Sequence, residues 1–322
     1  MFAVTATQID ADHPLNGLTL GERPDPDVPD GWTTVTVKAA ALNHHDLWSL
    51  RGVGLPADRL PMILGCDAAG VDEDGNEVIV HSVIGDPDRG GGDETLDPKR
   101  SLLSERYPGT LAEKVAVPRR NLVRKPAELS FEEAACLPTA WLTAYRMLFD
   151  KAGVEPGATV LVQGAGGGVA TAAIALASAA GLRVFATSRS EAKRKRALEL
   201  GADVAVESGA RLPERVDAVI ETVGEATWSH SLKSLRPGGR IVVSGATSGQ
   251  VPPAELSRVF FLQLQVVGST MGTREQLERL ARFLVKTGTR PLIDRTLPLG
   301  AARDGFAAMA EGDLFGKIVF TP

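Results

Sequence analysis

Val162-Gln163-Gly164-Ala165-Gly166-Gly167-Gly168-Val169-Ala170 is the stretch on which the fold turns. It follows the apolar run Thr159-Val160-Leu161-Val162, short and β-branched as a buried strand is, and leads into the small-residue segment 168–180, read as a helix. Glycines between a strand and a helix let the backbone approach a diphosphate, and the helix N-terminus presents unpaired N–H groups and the positive end of its dipole. Gly164, Gly166, Gly167, Gly168 and Val169 are therefore expected to bind a dinucleotide. A glycine cluster alone also makes plain turns, so its surroundings carry the reading.

Those surroundings repeat the unit. Arg183-Val184-Phe185-Ala186-Thr187 reads as the next strand and 191–200 as the next helix, stopped by Gly201. Further strands are expected at 218–220, 241–243 and 265–267, with helices near 227–235 and 274–286. Continuous apolar strands alternating with helices predict an α/β, doubly wound parallel sheet covered on both faces. Gly224 and Gly245 end the fourth and fifth strands, where ligands sit in open α/β sheets, so both are expected cofactor contacts.

The end of the second strand selects the dinucleotide. NAD-binding units usually place Asp or Glu there to hold the ribose 2′-hydroxyl. Here the chain reads Thr187-Ser188-Arg189-Ser190-Glu191-Ala192-Lys193, with no acid at the strand's end. Ser188 can donate to a 2′-phosphate and Arg189 and Lys193 can neutralise it, which predicts NADP(H). Arg194, Lys195 and Arg196 read as a solvated helix face.

Residues 1 to about 120 follow a different rhythm. Trp32-Thr33-Thr34-Val35-Thr36-Val37 alternates with period two, and 68–73 and 77–83 flank Asp74-Gly75-Asn76, a tight hairpin signal. This half reads as a small twisted β domain. Residues 85–109, rich in glycine, proline and charge, read as a long surface loop of functional or mobile character. The tail Phe315–Phe320 reads as a strand that returns to the first domain.

Composition narrows the function. The 322-residue chain carries 35 basic and 40 acidic residues, net −5, so no overall field draws it to nucleic acid or anionic lipid. Two cysteines, Cys66 and Cys136, make neither a disulfide framework nor a four-thiolate zinc site. The longest weakly polar run, Val169 to Leu182, falls short of the ~20 residues of a membrane helix, and the N-terminus lacks signal-peptide features. A soluble, cytoplasmic protein acting on a small molecule, with neither nucleic acid nor membrane as partner, is expected.

Leu42-Asn43-His44-His45-Asp46, Leu64-Gly65-Cys66-Asp67-Ala68-Ala69-Gly70, Gly109-Thr110-Leu111-Ala112-Glu113, the run Ala134 to Tyr145, the glycine turn, Leu200-Gly201-Ala202-Asp203 and Gly238-Gly239-Arg240 occur in order. Together they resemble the medium-chain dehydrogenase/reductase superfamily over nearly the whole chain. The resemblance implies a GroES-like β domain at 1–122, completed by 293–322, and a Rossmann domain at 123–292, with the active site in the cleft between them.

The zinc enzymes of that superfamily take their catalytic ligands at three motif positions, which fall here on Asn43, Cys66 and Thr139. Only Cys66 is a usual ligand, and 85–109 has none of the four cysteines that hold a structural zinc in many relatives. The chain is thus expected to hold no metal and to resemble the zinc-free, quinone-oxidoreductase-like branch. Without a Lewis acid an alcohol proton is hard to remove near neutral pH, so hydride transfer from NADPH to an activated alkene, enone or quinone is the expected reaction. Two alternatives stand: an atypical metal-dependent alcohol dehydrogenase using His44 or His45 with Cys66 and Asp67, and a low-activity NADPH-binding sensor or structural protein.

The resemblance also implies roles. His45 matches a proton-relay position and is expected to deliver a proton, and Asn43 to donate to the substrate oxygen. His44, Thr143 and Lys317 match cofactor-contact positions, with an Asp46–Lys317 pair tying the tail to the β domain. Relatives pair through the last Rossmann strand, here Leu264 to Ser269, which implies a homodimer.

Overall fold

The computed structural model describes residues 1–312 and 314–322. The chain divides into two compact units, Met1–Leu142 with Met271–Pro322, and Thr143–Thr270.

The first unit is built on the strand Trp32–Ala41, whose Thr33, Val35 and Val37 turn inward on alternate positions. Along one edge it pairs with Asp67–Asp72, then Glu77–Val80, then Leu122–Arg124; along the other it meets Lys317–Thr321 and then Ile293–Pro298, with Lys114–Pro118 pairing alongside. The hairpin forms where expected. Gly75 takes φ +82°, and the Asp72 carboxylate receives the N–H groups of Asp74 and Asn76. The tail strand returns as the sequence implies, Val319 opposite Ala41. Val35, Val37, Leu42, Leu50, Leu64, Ile318 and Phe320 belong to the core beneath it.

The second unit is a six-stranded, wholly parallel sheet. Its order is Val204–Val206, Arg183–Thr187, Thr159–Val162, Val216–Glu221, Leu235–Val243, Gln265–Gly268. The helix Gly168–Ala179 buries every residue from Ala170 to Ala177, and its alanines leave room for close approach to the sheet.

Two segments expected on the dinucleotide side, 123–142 and 271–292, pack with the β unit instead. Leu122–Arg124 completes a β ladder with Glu77–Val80. The helix Arg274–Thr287 buries Leu277, Leu280, Ala281 and Leu284 on one face. Its start is fastened to the same unit, Arg274 N–H to Glu94 Oε1 at 2.6 Å and its guanidinium to the Leu122 carbonyl. The helical period was legible, but not which unit its apolar face covers.

Residues 85–109 are folded around one carboxylate. Asp97 accepts from Arg89 Nε and Nη2 at 3.0 and 2.7 Å and from the backbone N–H of Asp86 and Lys99. The Arg89 guanidinium, aided by those N–H groups, holds the Asp97 carboxyl well below the usual carboxylate range.

Candidate active site

The first-turn geometry of the helix His44–Leu50 is set by Asp46. Its Oδ2 accepts the Asn43 N–H and its Oδ1 the Gly65 N–H, each at 2.9 Å, so a fully buried carboxylate ties the helix start to the segment before Asp67–Asp72. That aims His45 at Cys66 and at the 85–109 loop. His45 Nδ1 lies 3.4 Å from Cys66 Sγ, and Nε2 lies 3.1 Å from Glu105 Oε1. Cys66 in turn donates to the Leu103 carbonyl at 3.2 Å.

The electrostatics agree with one proton arrangement. Burial opposes the His45 imidazolium, but Cys66 and Glu105, with Asp46 behind them, outweigh it and hold the pKa well above 6.5. Burial pushes the Cys66 thiol up against the pull of His45. The protonated His45 ring places one N–H at Cys66 Sγ and the other at Glu105 Oε1.

Asn43 and Lys317 are placed together but are turned inward. Lys317 Nζ donates to Asn43 Oδ1 at 2.6 Å, to the Leu42 carbonyl at 2.8 Å and to Asp67 Oδ2 at 3.1 Å. Those three bonds use all three ammonium protons, and the residue is 2% exposed, so no N–H remains for a diphosphate. Its carboxylate partner is Asp67, not Asp46. Asn43 Nδ2 donates to Asp67 Oδ2 and to the Ala41 carbonyl, so its amide is committed at both ends. The substrate-donor role expected of Asn43 and the cofactor contact expected of Lys317 both give way to an internal tie. His44 is exposed on the helix's first turn.

The three motif positions for catalytic zinc offer a committed amide, a thiol and the Thr139 hydroxyl, whose Oγ1 is buried without a partner among the described residues. Catalytic zinc takes three protein ligands from His, Cys and carboxylates, and this set does not supply them. His45, Asp46 and Cys66 do bring one donor atom each within 4.8 Å of one another. Both Asp46 oxygens already hold backbone N–H groups, however, and His45 and Cys66 satisfy each other. Asp67, weighed as an oxygen ligand, is turned to Lys317.

In the second unit the glycine turn has the form of a cradle. Gly164 takes φ +72°, and a Cβ there would lie 2.7 Å from Val223 Cγ2; at Gly167, the N-cap of Gly168–Ala179, a Cβ would meet nothing within 4 Å. Gly166 takes φ +142° and has the Lys193 side chain against it, Nζ 3.3 Å from where a Cβ would stand. Thr187 anchors the turn, its carbonyl accepting the Ala165 N–H and its Oγ1 the Gly164 N–H. The residues fit a dinucleotide diphosphate. Ser188 is buried at the end of its strand, Arg189 is exposed beside it, and Arg194 donates to both their carbonyls. Gly224 takes φ +92°, and a Cβ on Gly245 would lie 3.0 Å from the Thr222 carbonyl oxygen. Thr143 is buried in the short helix Leu142–Tyr145.

Sequence reasoning missed Glu105, which no spacing links to His45. It also missed the network under the turn, where Glu221, fully buried, accepts from Val223 N–H, Gly224 N–H, Thr227 and Ser231.

Residues 29–127 match the alcohol dehydrogenase GroES-like domain, and residues 168–286 match the zinc-binding dehydrogenase domain. An acryloyl-coenzyme A reductase of Sulfurisphaera tokodaii is 31% identical, the match covering 96% of this chain and 98% of that protein. A 2-methylene-furan-3-one reductase of Solanum lycopersicum is 32% identical over 92% of this chain and 73% of its own. The solved structure of an NAD-dependent alcohol dehydrogenase is 36% identical and superposes with a TM-score of 0.92, covering 100% of both chains.

Proposed function

The chain belongs to the medium-chain dehydrogenase/reductase superfamily of oxidoreductases, and from that premise we propose that it is an NADPH-dependent reductase of activated alkenes, conjugated enones or quinones, working without catalytic zinc. The observation that carries the reading is His45, held between Cys66 and Glu105 beside motif positions short of zinc ligands. The names of the acryloyl-coenzyme A and 2-methylene-furan-3-one reductases favour a carbon–carbon double bond next to a carbonyl as the substrate.

The bound dinucleotide supplies a hydride. Gly164 to Val169 hold its diphosphate at the helix N-terminus, and Ser188, Arg189 and Lys193 receive the 2′-phosphate. As the β-carbon of the substrate gains the hydride, charge moves onto the carbonyl oxygen, and His45 donates the proton that completes the saturated product. His45 retains 20% side-chain exposure and Glu105 27%, while Cys66 is buried. The part-exposed end of the pair is the one at Glu105, so a substrate oxygen would take the Nε2 proton in place of the Glu105 carboxylate.

Dialysed, chelator-treated protein assayed against acryloyl-type thioesters, enones, quinones and simple aldehydes tests this. Turnover of a conjugated class, faster with NADPH than NADH, is expected. Replacing both Arg189 and Lys193 by Ala is expected to raise KM for NADPH by roughly 10–100-fold, the worth of about one charge-assisted hydrogen bond, and to leave KM for NADH in place. Activity restored only by added zinc would put the metal-dependent alcohol dehydrogenase in its place, and an unchanged coenzyme ratio would remove the 2′-phosphate assignment.

A homodimer through the last strand of the parallel sheet completes the reading. Gln265–Gly268 is an edge strand with Val266 51% exposed, and Phe260 and Phe261 of the preceding helix Leu256–Phe261 are 60% and 77% exposed. An exposed apolar edge is stabilised by pairing. Light scattering at micromolar concentration should give twice the 34.0 kDa chain mass. Phe261→Asp with Val266→Lys should give the monomer, and a monomeric parent protein would refute the pairing.

A further inference from the structure

We propose that Glu105 is the positioning residue of this site, the group through which the 85–109 loop fixes the His45 ring and keeps its proton in place for transfer. The inference rests on His45 being the proton donor.

The turn that delivers Glu105 is held from several sides. Ser104 is fully buried with φ +67°, a left-handed backbone that a non-glycine residue adopts at a cost of order 1–3 kcal/mol and that persists where its surroundings over-determine it. Its N–H donates to the Tyr107 carbonyl at 2.8 Å, and its Oγ lies 3.7 Å from Cys66 Sγ. The Cys66 thiol donates to Leu103, one residue earlier. Glu105 is then clamped by its own turn, its Oε2 accepting the Leu102 N–H at 3.3 Å, which leaves Oε1 for His45. Opposite, Gly54 keeps the space open: with φ +81°, a Cβ there would stand 3.2 Å from Glu105 Oε1 and 3.8 Å from His45 Nε2.

Among the described residues, three titratable groups face His45: Cys66 from the segment before Asp67–Asp72, Asp46 from its own helix and Glu105 from the loop. Asp46 is locked by two backbone N–H groups, and Cys66 is buried at the Nδ1 end of the ring. Glu105 is the part-exposed carboxylate bonded to Nε2 of the ring. Its charge favours the imidazolium, and its bond to Nε2, with Cys66 facing Nδ1 opposite, keeps the ring from turning.

Glu105→Gln keeps the shape and removes the charge. Histidine NMR titration of the whole protein, with the His45 signals assigned by their loss in His45→Gln, should show the His45 pKa falling by one unit or more, as loss of an adjacent opposite charge does. The high-pH fall in kcat should move to lower pH by the same amount, while the low-pH plateau stays within several-fold and circular dichroism is unchanged. A merely structural glutamate would lower the rate at every pH and shift neither. An unmoved His45 titration overturns the proposal. A shifted titration with an unmoved rate profile upholds Glu105 as the group that sets the His45 proton and instead defeats His45 as the donor, so the two failures are distinguishable.

Discussion

His45→Gln should lower kcat for a conjugated alkene by roughly 10²–10⁴-fold, the usual contribution of a positioned general acid, with KM for NADPH within a few-fold of the parent value. The split follows from placement, because the glycine turn and Lys193 lie in a different compact unit from His45. The pH profile carries a sign. The acid form is the active one, so kcat should be flat at low pH and fall as pH rises through the His45 pKa, which lies well above 6.5. The same raised pKa contributes to stability. That contribution is fully present below about 6.5, the unfolded value, and is lost as pH rises through the folded one. His45→Gln should therefore narrow the stability difference between acid and alkaline solution. A kcat within threefold of the parent across the range would place the proton source elsewhere.

The parallel sheet, its glycine turn and the returning tail strand were legible because each rests on a local signal: apolar runs, a strand–glycine–helix sequence, period-two alternation. The helix 274–287 shows the limit. Its 3.6-residue period marks an apolar face but not the surface that face covers, which is decided by Arg274 binding Glu94 and Leu122, far apart in sequence. The site shows the same limit more sharply. His45 was legible from a motif position, whereas Glu105 was not, since a left-handed Ser104 and a fold of loop around Asp97 bring it within reach. Asn43 and Lys317 were found at motif positions, but their roles depend on which acceptors lie around them. A lysine amid a carbonyl, an amide oxygen and a carboxylate has no donor left for a ligand.

Lys317→Met turns that last difference into a measurement. Were Lys317 a diphosphate contact, its loss would weaken NADPH binding and leave thermal stability nearly untouched. As an internal tie, its loss strands Asp67, which is 0% exposed, with Asn43 Nδ2 as its remaining partner and with Oδ1 already lacking one. An uncompensated buried charge costs about 3–5 kcal/mol. At roughly 2–4 °C per kcal/mol for a unit of this size, that is about 6–20 °C in Tm. The tie joins the tail strand to the Asn43 cap, so the loss should be felt in the β unit that holds His45. The double variant Lys317→Met, Asp67→Asn separates lost packing from lost charge. Neutralising Asp67 removes the stranded carboxylate, and most of the stability should return although neither original partner remains. Recovery in the double variant, with NADPH affinity unchanged throughout, identifies the pair as an ion pair that holds the tail in the sheet. A Tm unaffected by Lys317→Met, with NADPH affinity reduced, would return the residue to the cofactor.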